Sequence, residues 1–218
     1  MTIRLTPNSL IKPLICILAF FQFASVHTTA TDSIQNGPLA TVTLEEFGDY
    51  QCPPCAALHP ILKQLQVEYG SRLNLVFRNF PLGVSHRNAL AAAKAAEAAR
   101  LQHKFWQLHD FLFEHQKEWA PGDDPMPFFM EYARRLGIDL TRFRQDYAGL
   151  TVKRRISQDL RRAAELRLDG TPTLLLDGKA LPSYAVLPQQ LRTEIEAALK
   201  RKSSANSLAE PLQFRHGF

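Results

Sequence analysis

The chain has little cysteine: three occur in 218 residues, Cys16, Cys52 and Cys55. So few exclude the disulfide framework that holds many small secreted domains together. Cys16 lies in the apolar stretch Leu14 to Val26, and Leu14-Ile15 lacks the small residue expected just before a lipidated cysteine, so Cys16 reads as a passenger. Internal repeats are absent, as is low-complexity sequence beyond one alanine-rich segment, which excludes a repeat array. What is present suits one ordinary core: 45% of residues are hydrophobic, and with 22% charged the chain is not wholly disordered.

Acidic residues are missing from the amino terminus. Residues 1–30 carry Arg4 and Lys12 but neither aspartate nor glutamate, and the apolar stretch ends at the small residues Thr28-Thr29-Ala30. This pattern reads as an export signal, with an uncleaved anchor helix as the alternative. Leu10 to Val26 is short of the ~20 residues that span a bilayer, and Lys12, Pro13 and Gln22 interrupt it. Residues 31–40 follow as a polar leader. Losing the two cations lowers the formal charge from +5 to +3, a mildly basic balance that singles out no partner, and a nucleic acid is not expected of an exported protein. A periplasmic or otherwise extracytoplasmic location is oxidising, so spare cysteines there become disulfides. Only Cys52 and Cys55 remain. Their loop is too short to restrict the unfolded chain much, so chemistry is a better reason for the pair than stability.

Cys52-Pro53-Pro54-Cys55 stands between an apolar run, Thr41 to Phe47, and a helical pattern, Ala56 to Tyr69. Two cysteines at this spacing can bond to each other. The helix N-terminus places partial positive charge beside the first sulfur and favours its thiolate. Half of a zinc site has the same spacing. That alternative needs two further ligands, and His59, His86, His103 and His109 show no ligand-like spacing.

Around the motif the pattern predicts strand, helix and strand. Leu58, Ile61, Leu62, Leu65 and Tyr69 make one apolar helix face, Gly70 ends the helix, and Leu73 to Phe80 alternates as a strand stopped by Pro81. A helical region follows. Ser85 is expected to cap a helix through Ala89 to Leu101, and a second helix spans Lys104 to Lys117. Asp124-Pro125 starts a short helix, Met126 to Leu136, Asp139 or Thr141 starts another, and Thr151 to Arg167 is longer. Thr173 to Leu176 is a buried strand, Asp177-Gly178 a hairpin turn, and Lys179 to Leu181 the return strand. Leu187 to Lys200 is a last amphipathic helix, and residues 201–218 read as a flexible tail. The order βαβ, helices, ββα defines an α/β chain with a helical insertion.

At this point the chain resembles a known family. Glu46-Phe47-Gly48-Asp49-Tyr50-Gln51-Cys52-Pro53-Pro54-Cys55 with His59-Pro60 is similar to the active-site segment of DsbA-like thiol-disulfide oxidoreductases. Gly170-Thr171-Pro172-Thr173 is similar to that family's cis-proline loop. Phe80-Pro81-Leu82, His86, Asn88-Ala89, Glu97, Phe105-Trp106 and His109 resemble its helical insertion. The resemblance covers roughly residues 40–200. It implies a thioredoxin fold with an inserted helical domain, the thioredoxin-like part being 41–84 and 168–200 and the insertion 85–167.

Its implications for the site are specific. Cys52 is the redox nucleophile and Cys55, more buried, the resolving partner. Pro172 follows a cis bond, and the Thr171-Pro172 loop pairs with an extended substrate chain. Glu46 holds the place of a buried acid that accepts the Cys55 proton, with Glu45 or Asp49 as alternatives. No cofactor is expected, because the cysteine pair is itself the redox centre, and no metal. Pro53 and Pro54 have no N–H to offer the Cys52 sulfur. Oxidising relatives carry histidine in place of Pro54, so Cys52 is expected to be less acidic here than in them. The late insertion is rich in arginine, including Arg134, Arg135, Arg142, Arg154, Arg155, Arg161 and Arg162. A solvated helix face explains this, with weak contact to anionic lipid as the alternative. Trp106 and His109 are expected to pack the insertion.

The reading is an exported dithiol oxidase acting on reduced, unfolded exported proteins and recycled by a membrane redox partner. A reductase or isomerase would use the same chemistry. Dimeric isomerases of this kind carry an extra N-terminal domain, for which residues 31–40 are too few. A non-catalytic binding or chaperone module with an incidental cysteine pair is the rival from another class.

Overall fold

The computed structural model describes residues 42–209. The expected export signal, the expected leader, Cys16 and residues 210–218 lie outside the described residues. The sheet has four strands: β1 (Val42–Gly48), β2 (Leu73–Asn79), β3 (Thr173–Leu176) and the short β4 (Lys179–Ala180), in the order β2-β1-β3-β4. β1 runs parallel to β2 and antiparallel to β3. The parallel pair is joined by α1 (Pro53–Tyr69), a βαβ unit. Asp177 and Gly178 both have positive φ, as a tight β3–β4 hairpin requires.

Alternation along β1 sorts its side chains between two environments. Val42 and Leu44 pack with Leu58, Leu62 and Leu65 of α1 and with Leu191 and Ile195 of α8 (Pro188–Ala209). Phe47, from the other face, packs with Ala163 of α7 (Leu150–Glu165) and Leu175. Glu46 therefore shares the α1 face, and Glu45 the α7 face. Gly48 needs its missing side chain, since a Cβ there would run into the Phe77 ring.

Between β2 and β3 come six helices: α2 (Ala89–Arg100), α3 (Phe105–Glu114), α4 (Gln116–Trp119), α5 (Met126–Arg135), α6 (Leu140–Ala148) and α7. Small alanines on α2 let its neighbours approach closely, around a core that includes Leu108, Leu112, Trp119, Phe129 and Phe143. That cluster also contains Tyr50, Cys52, Cys55 and Phe77, so the insertion's core reaches the cysteine pair.

A buried ionic network fastens the insertion to the sheet. Glu97 of α2, 1% exposed, meets Arg100 at 2.7 Å, Arg155 of α7 at 2.8 Å and Asn79 Nδ2 at 2.8 Å. Asp159 of α7 accepts the Asn79 amide at 3.0 Å and pairs with Arg78, which also pairs with Glu45. Arg162 completes it on Glu45 at 2.7 Å. The arginine-rich sequence is thus not simply a solvated face: Arg155 and Arg162 are used inside the molecule, and Arg134 and Arg135 both hold Glu131.

Three local expectations change. α2 does not start at Ser85, which sits in a turn onto the Leu82 carbonyl; the helix begins after Asn88, whose side-chain amide is taken by the Ala120 and Gly122 carbonyls. The expected helix Lys104 to Lys117 breaks at His115, and the break turns Gln116 towards the β1–α1 turn. α8 continues past Lys200 to Ala209. Asp139, not Thr141, caps α6, accepting from the amides of Thr141 and Arg142. No helix among the described residues is long and apolar enough to cross a membrane.

Removing one member of the buried network should be severe. Glu97→Ala is expected to destabilise the protein by about 3–5 kcal/mol in urea unfolding, because Arg100 and Arg155 lose their partner inside the protein. A loss below about 1 kcal/mol would show that the network does not anchor the insertion.

Candidate active site

Cys52 is the last residue before α1, with Pro53 in the first helical position. Its amide donates to the Asp49 carbonyl at 3.0 Å, and its own carbonyl accepts from Ala56 at 3.2 Å. Gln116 donates to the carbonyls of Tyr50 at 2.8 Å and Cys52 at 3.0 Å, so the insertion grips the backbone on both sides of Gln51. Cys55, one turn further on, is fully buried, and Cys52 is only 4% exposed. The covering loop explains the second figure: Thr171 lies against Cys52, whose thiol donates to the Thr171 carbonyl at 3.4 Å, and the Thr171–Pro172 peptide is cis. Both cysteines are free thiols in this structure.

The two sulfurs differ sharply in acidity. The Cys55 thiol donates to Cys52 and lowers its pKa from 9.0 to about 6; burial opposes this, while the contact with Thr171 and a hydrogen bond from the Cys55 amide support it. Cys55 is pushed far up, first by that same hydrogen bond, then by burial and by the charge of Glu46. One sulfur is thus a thiolate at neutral pH while the other keeps its proton. The donors to the Cys52 sulfur come from Cys55, because Pro53 and Pro54 have none to offer.

The three candidate acids are separated by their partners. Burial pushes Glu45 up, but Arg162 and Arg78 outweigh it and hold the carboxyl below its usual range. Asp49 is fully engaged, accepting from the amides of Gln51 at 2.7 Å and Leu82 at 2.8 Å and pairing with His86 at 2.8 Å. Glu46 has no such partners. It is 2% exposed, its Oε1 has no hydrogen bond among the described residues, and its pKa rises to about 8, through burial first and then the Cys52 charge.

Several site residues had not been assigned a role from sequence. Tyr50 donates to or accepts from His109 Nδ1 at 3.0 Å. His59, one turn of α1 beyond Cys55, stacks on Phe113 and lies 5.2 Å from the His109 ring. Burial holds both histidines below their ordinary pKa, His109 well below, so both are neutral near pH 7. The spacing Cys55 to His59 was the available signal, because residues four apart share a helix face. Gln116 left none, since it reaches the site through the break after α3. His109 does pack against the core, but against Tyr50, His59 and Phe77 as well as Phe105 and Phe113 of the insertion.

His59, His109 and Asp110 place potential metal-ligand atoms within 4.8 Å of one another, the one such cluster among the described residues. Lys63 already neutralises Asp110 at 2.8 Å, which argues against a cation there. Outside this cluster, an open groove of about 680 Å³ runs from Pro53 past Ala57, Pro60 and Lys63 of α1 to Phe113 and Lys117.

This geometry, a thiolate at the start of the first helix under a cis-proline loop, defines a thioredoxin-fold redox protein. A thioredoxin family model matches residues 28–197. The chain belongs to the thioredoxin family. Among solved structures it is similar to a thioredoxin-like oxidoreductase from Silicibacter pomeroyi DSS-3, at 28% identity and a TM-score of 0.65, covering 77% of this chain and 91% of that one. It shares its fold with BdbD from Bacillus subtilis, at 22% identity and a TM-score of 0.68, over 77% of this chain and 92% of that one. A curated relative is a Na(+)/H(+) antiporter NhaA 3 of Salinispora tropica, 39% identical over 148 residues. The match covers 68% of this chain but 22% of that protein, so the chain spans about a fifth of the curated relatives' length.

Two outcomes are expected. Alkylation of reduced protein by iodoacetamide should follow a single thiolate with a midpoint near pH 6, and Pro54→His should move it lower; an unchanged or higher midpoint would refute the account of the two prolines. The raised pKa of Glu46 also predicts a stability slope. Between about pH 4.5 and pH 8 the unfolded chain ionises this carboxyl and the folded reduced protein does not, so stability falls as pH rises. Glu46→Gln removes that loss and should stabilise reduced protein at pH 8 by about 4 kcal/mol, with little effect at pH 4. Equal effects in urea melts at both pH values would exclude it.

Proposed function

We propose that this protein is an exported dithiol oxidase that transfers its Cys52–Cys55 disulfide to reduced, unfolded exported proteins. In the oxidised enzyme a substrate thiolate attacks the Cys52 sulfur. The Cys52–Cys55 bond breaks, Cys55 leaves and takes up a proton, and the substrate is held as a mixed disulfide. A second substrate thiolate then attacks the substrate sulfur, forms the substrate's disulfide and releases Cys52 as a thiolate. Two electrons pass from the substrate to the cysteine pair. Glu46 gives and takes the Cys55 proton, being a carboxyl with a raised pKa next to a buried thiol. The Thr171-Pro172 loop offers backbone against which an extended substrate segment pairs.

The observation that carries the direction is the acidity of Cys52. A thiolate at about 6 stabilises the reduced pair at neutral pH, and stabilising the reduced form makes the disulfide a better oxidant. A reductase of this fold also lowers its first thiol, to about 7, so the glutathione equilibrium separates the two. In this reading a membrane redox partner takes the electrons onward, and the pattern of residues 1–30, read as an export signal, supports a reaction outside the cytoplasm.

Purified protein equilibrated with reduced and oxidised glutathione, then alkylated and weighed, tests the direction. Ready reduction of the disulfide by glutathione is expected. A disulfide that persists until a much stronger reductant is added would reverse the assignment to a reductase. Cys52→Ser should abolish oxidation of a reduced test protein, and Cys55→Ser should accumulate mixed disulfides on Cys52. A Cys52→Ser variant with full activity would mean the pair is incidental.

A further inference from the structure

The turn between β1 and α1 pivots on Asp49. Its carbonyl accepts the Cys52 amide at 3.0 Å, and its own amide donates to the Cys55 sulfur. The side chain is 0% exposed. One carboxylate oxygen accepts the Gln51 amide at 2.7 Å. The other accepts the Leu82 amide at 2.8 Å and meets His86 Nδ1 at 2.8 Å. A buried carboxylate is tolerated only where donors surround it. An ionised carboxylate only accepts, so Nδ1 of His86 carries the proton in this bond.

The Gln51 and Leu82 donors are backbone amides, fixed by the chain. The His86 donor is a side chain from outside the turn. His86 lies in the loop between β2 and α2, where its own amide donates to the Leu82 carbonyl at 3.0 Å, and its side chain is 18% exposed. The same loop is tied to the turn a second time, by the Asn88 amide donating to Gln51 Oε1 at 2.8 Å. Arg87, beside His86 in the chain, turns away to Asp123 at 2.8 Å and to the Pro121 carbonyl at 2.7 Å. The cation next in sequence is thus spent elsewhere, and the imidazole is left facing Asp49.

A carboxylate three residues before Cys52 works against the thiolate. The negative charge of Asp49 raises the pKa of the Cys52 thiol, against the Cys55 donors that lower it. How much of that charge reaches the sulfur depends on how firmly the donors around Asp49 hold it. We propose that His86 is a positioning residue for the cysteine pair: by donating Nδ1–H to Asp49 it draws the carboxylate charge away from Cys52 and fixes the turn whose backbone bonds to both cysteines. The inference rests on the reading of Cys52–Cys55 as the redox pair.

The consequence falls on the reduced protein. With His86 in place the Cys52 thiolate is the more stable, and the disulfide the stronger oxidant. Without it, the amides of Gln51 and Leu82 still hold the carboxylate, but more of its charge acts on Cys52. The reduced form then loses stability relative to the disulfide, and the protein becomes a poorer oxidant. Asparagine at this position keeps a side-chain N–H of similar reach to Nδ1–H. Leucine keeps the bulk and loses the donor.

The test compares wild-type protein with His86→Leu and His86→Asn, each shown to be folded by urea unfolding. Iodoacetamide alkylation of reduced protein against pH gives the Cys52 midpoint. Equilibration with reduced and oxidised glutathione at about pH 7, then alkylation and weighing, gives the redox equilibrium. In His86→Leu the midpoint is expected to rise by about half to one pH unit, and the equilibrium to move about three- to fivefold towards the disulfide. His86→Asn should return the equilibrium to within about twofold of wild type. If the leucine variant does not fold, His86→Ser, too short to reach Asp49, takes its place with the same expectation. A folded variant lacking the donor that keeps the wild-type midpoint and equilibrium would overturn the proposal, even with lowered stability, because that is what a purely structural role predicts. An asparagine variant shifted as far as the leucine variant would overturn it too. Failure of wild-type protein to form the Cys52–Cys55 disulfide would instead remove the redox-pair reading on which the inference rests.

Discussion

One negative charge on a sulfur sets the demands on the rest of this structure. Cys52 is 4% exposed and lies at the junction of the sheet and the inserted helices. A charge with so little water around it must be stabilised by fixed groups, and here these are the Cys55 thiol and amide, the contact with Thr171 and the start of α1. Each comes from a different part of the local fold. The first turn of α1 places Cys55, the loop before β3 places Thr171, and Gln116 of the insertion holds the backbone at Tyr50 and Cys52. The same burial that concentrates these effects on Cys52 keeps the Cys55 and Glu46 protons in place.

The insertion is therefore part of the site rather than a cover added to it. Its core continues into Tyr50, Phe77 and the cysteines, and its ionic network reaches β1 and β2 through Glu45, Arg78 and Asn79. Glu45 and Glu46, neighbours on one strand, show what this achieves. One side chain points at arginines of α7 and β2 and is held ionised. The other points beneath α1, where no cation among the described residues pairs with it, and stays protonated near neutral pH. Strand alternation separates them, and the two layers packed on the sheet give them opposite chemistry.

Much of the fold was legible in the sequence because its signals are local. The α1 stripe of Leu58, Leu62 and Leu65, the Asp177-Gly178 turn and the βαβ and ββα patterns all depend on neighbours within a few residues. The places that departed from expectation depend on distant partners. Asn88 is bound by the carbonyls of Ala120 and Gly122, so α2 starts there and not at Ser85. His115 breaks a helix whose periodicity continues through it, and Gln116 crosses to the cysteines. No window of sequence around these residues contains the groups that hold them.

The sequence by itself determined the cysteine pair, its place at a helix start, the order of strands and helices, and the three acids within reach of the motif. Periodicity and turn chemistry act along the chain, so the chain alone carries them. The tertiary structure decided which acid stays protonated, which arginines are buried, and that Thr171 and Gln116 reach Cys52 while His59 and His109 line one cavity with Glu46. Desolvation and charge pairing depend on what lies across space, and residues as far apart as 46, 59, 109 and 171 meet only when the sheet and the insertion close on one another.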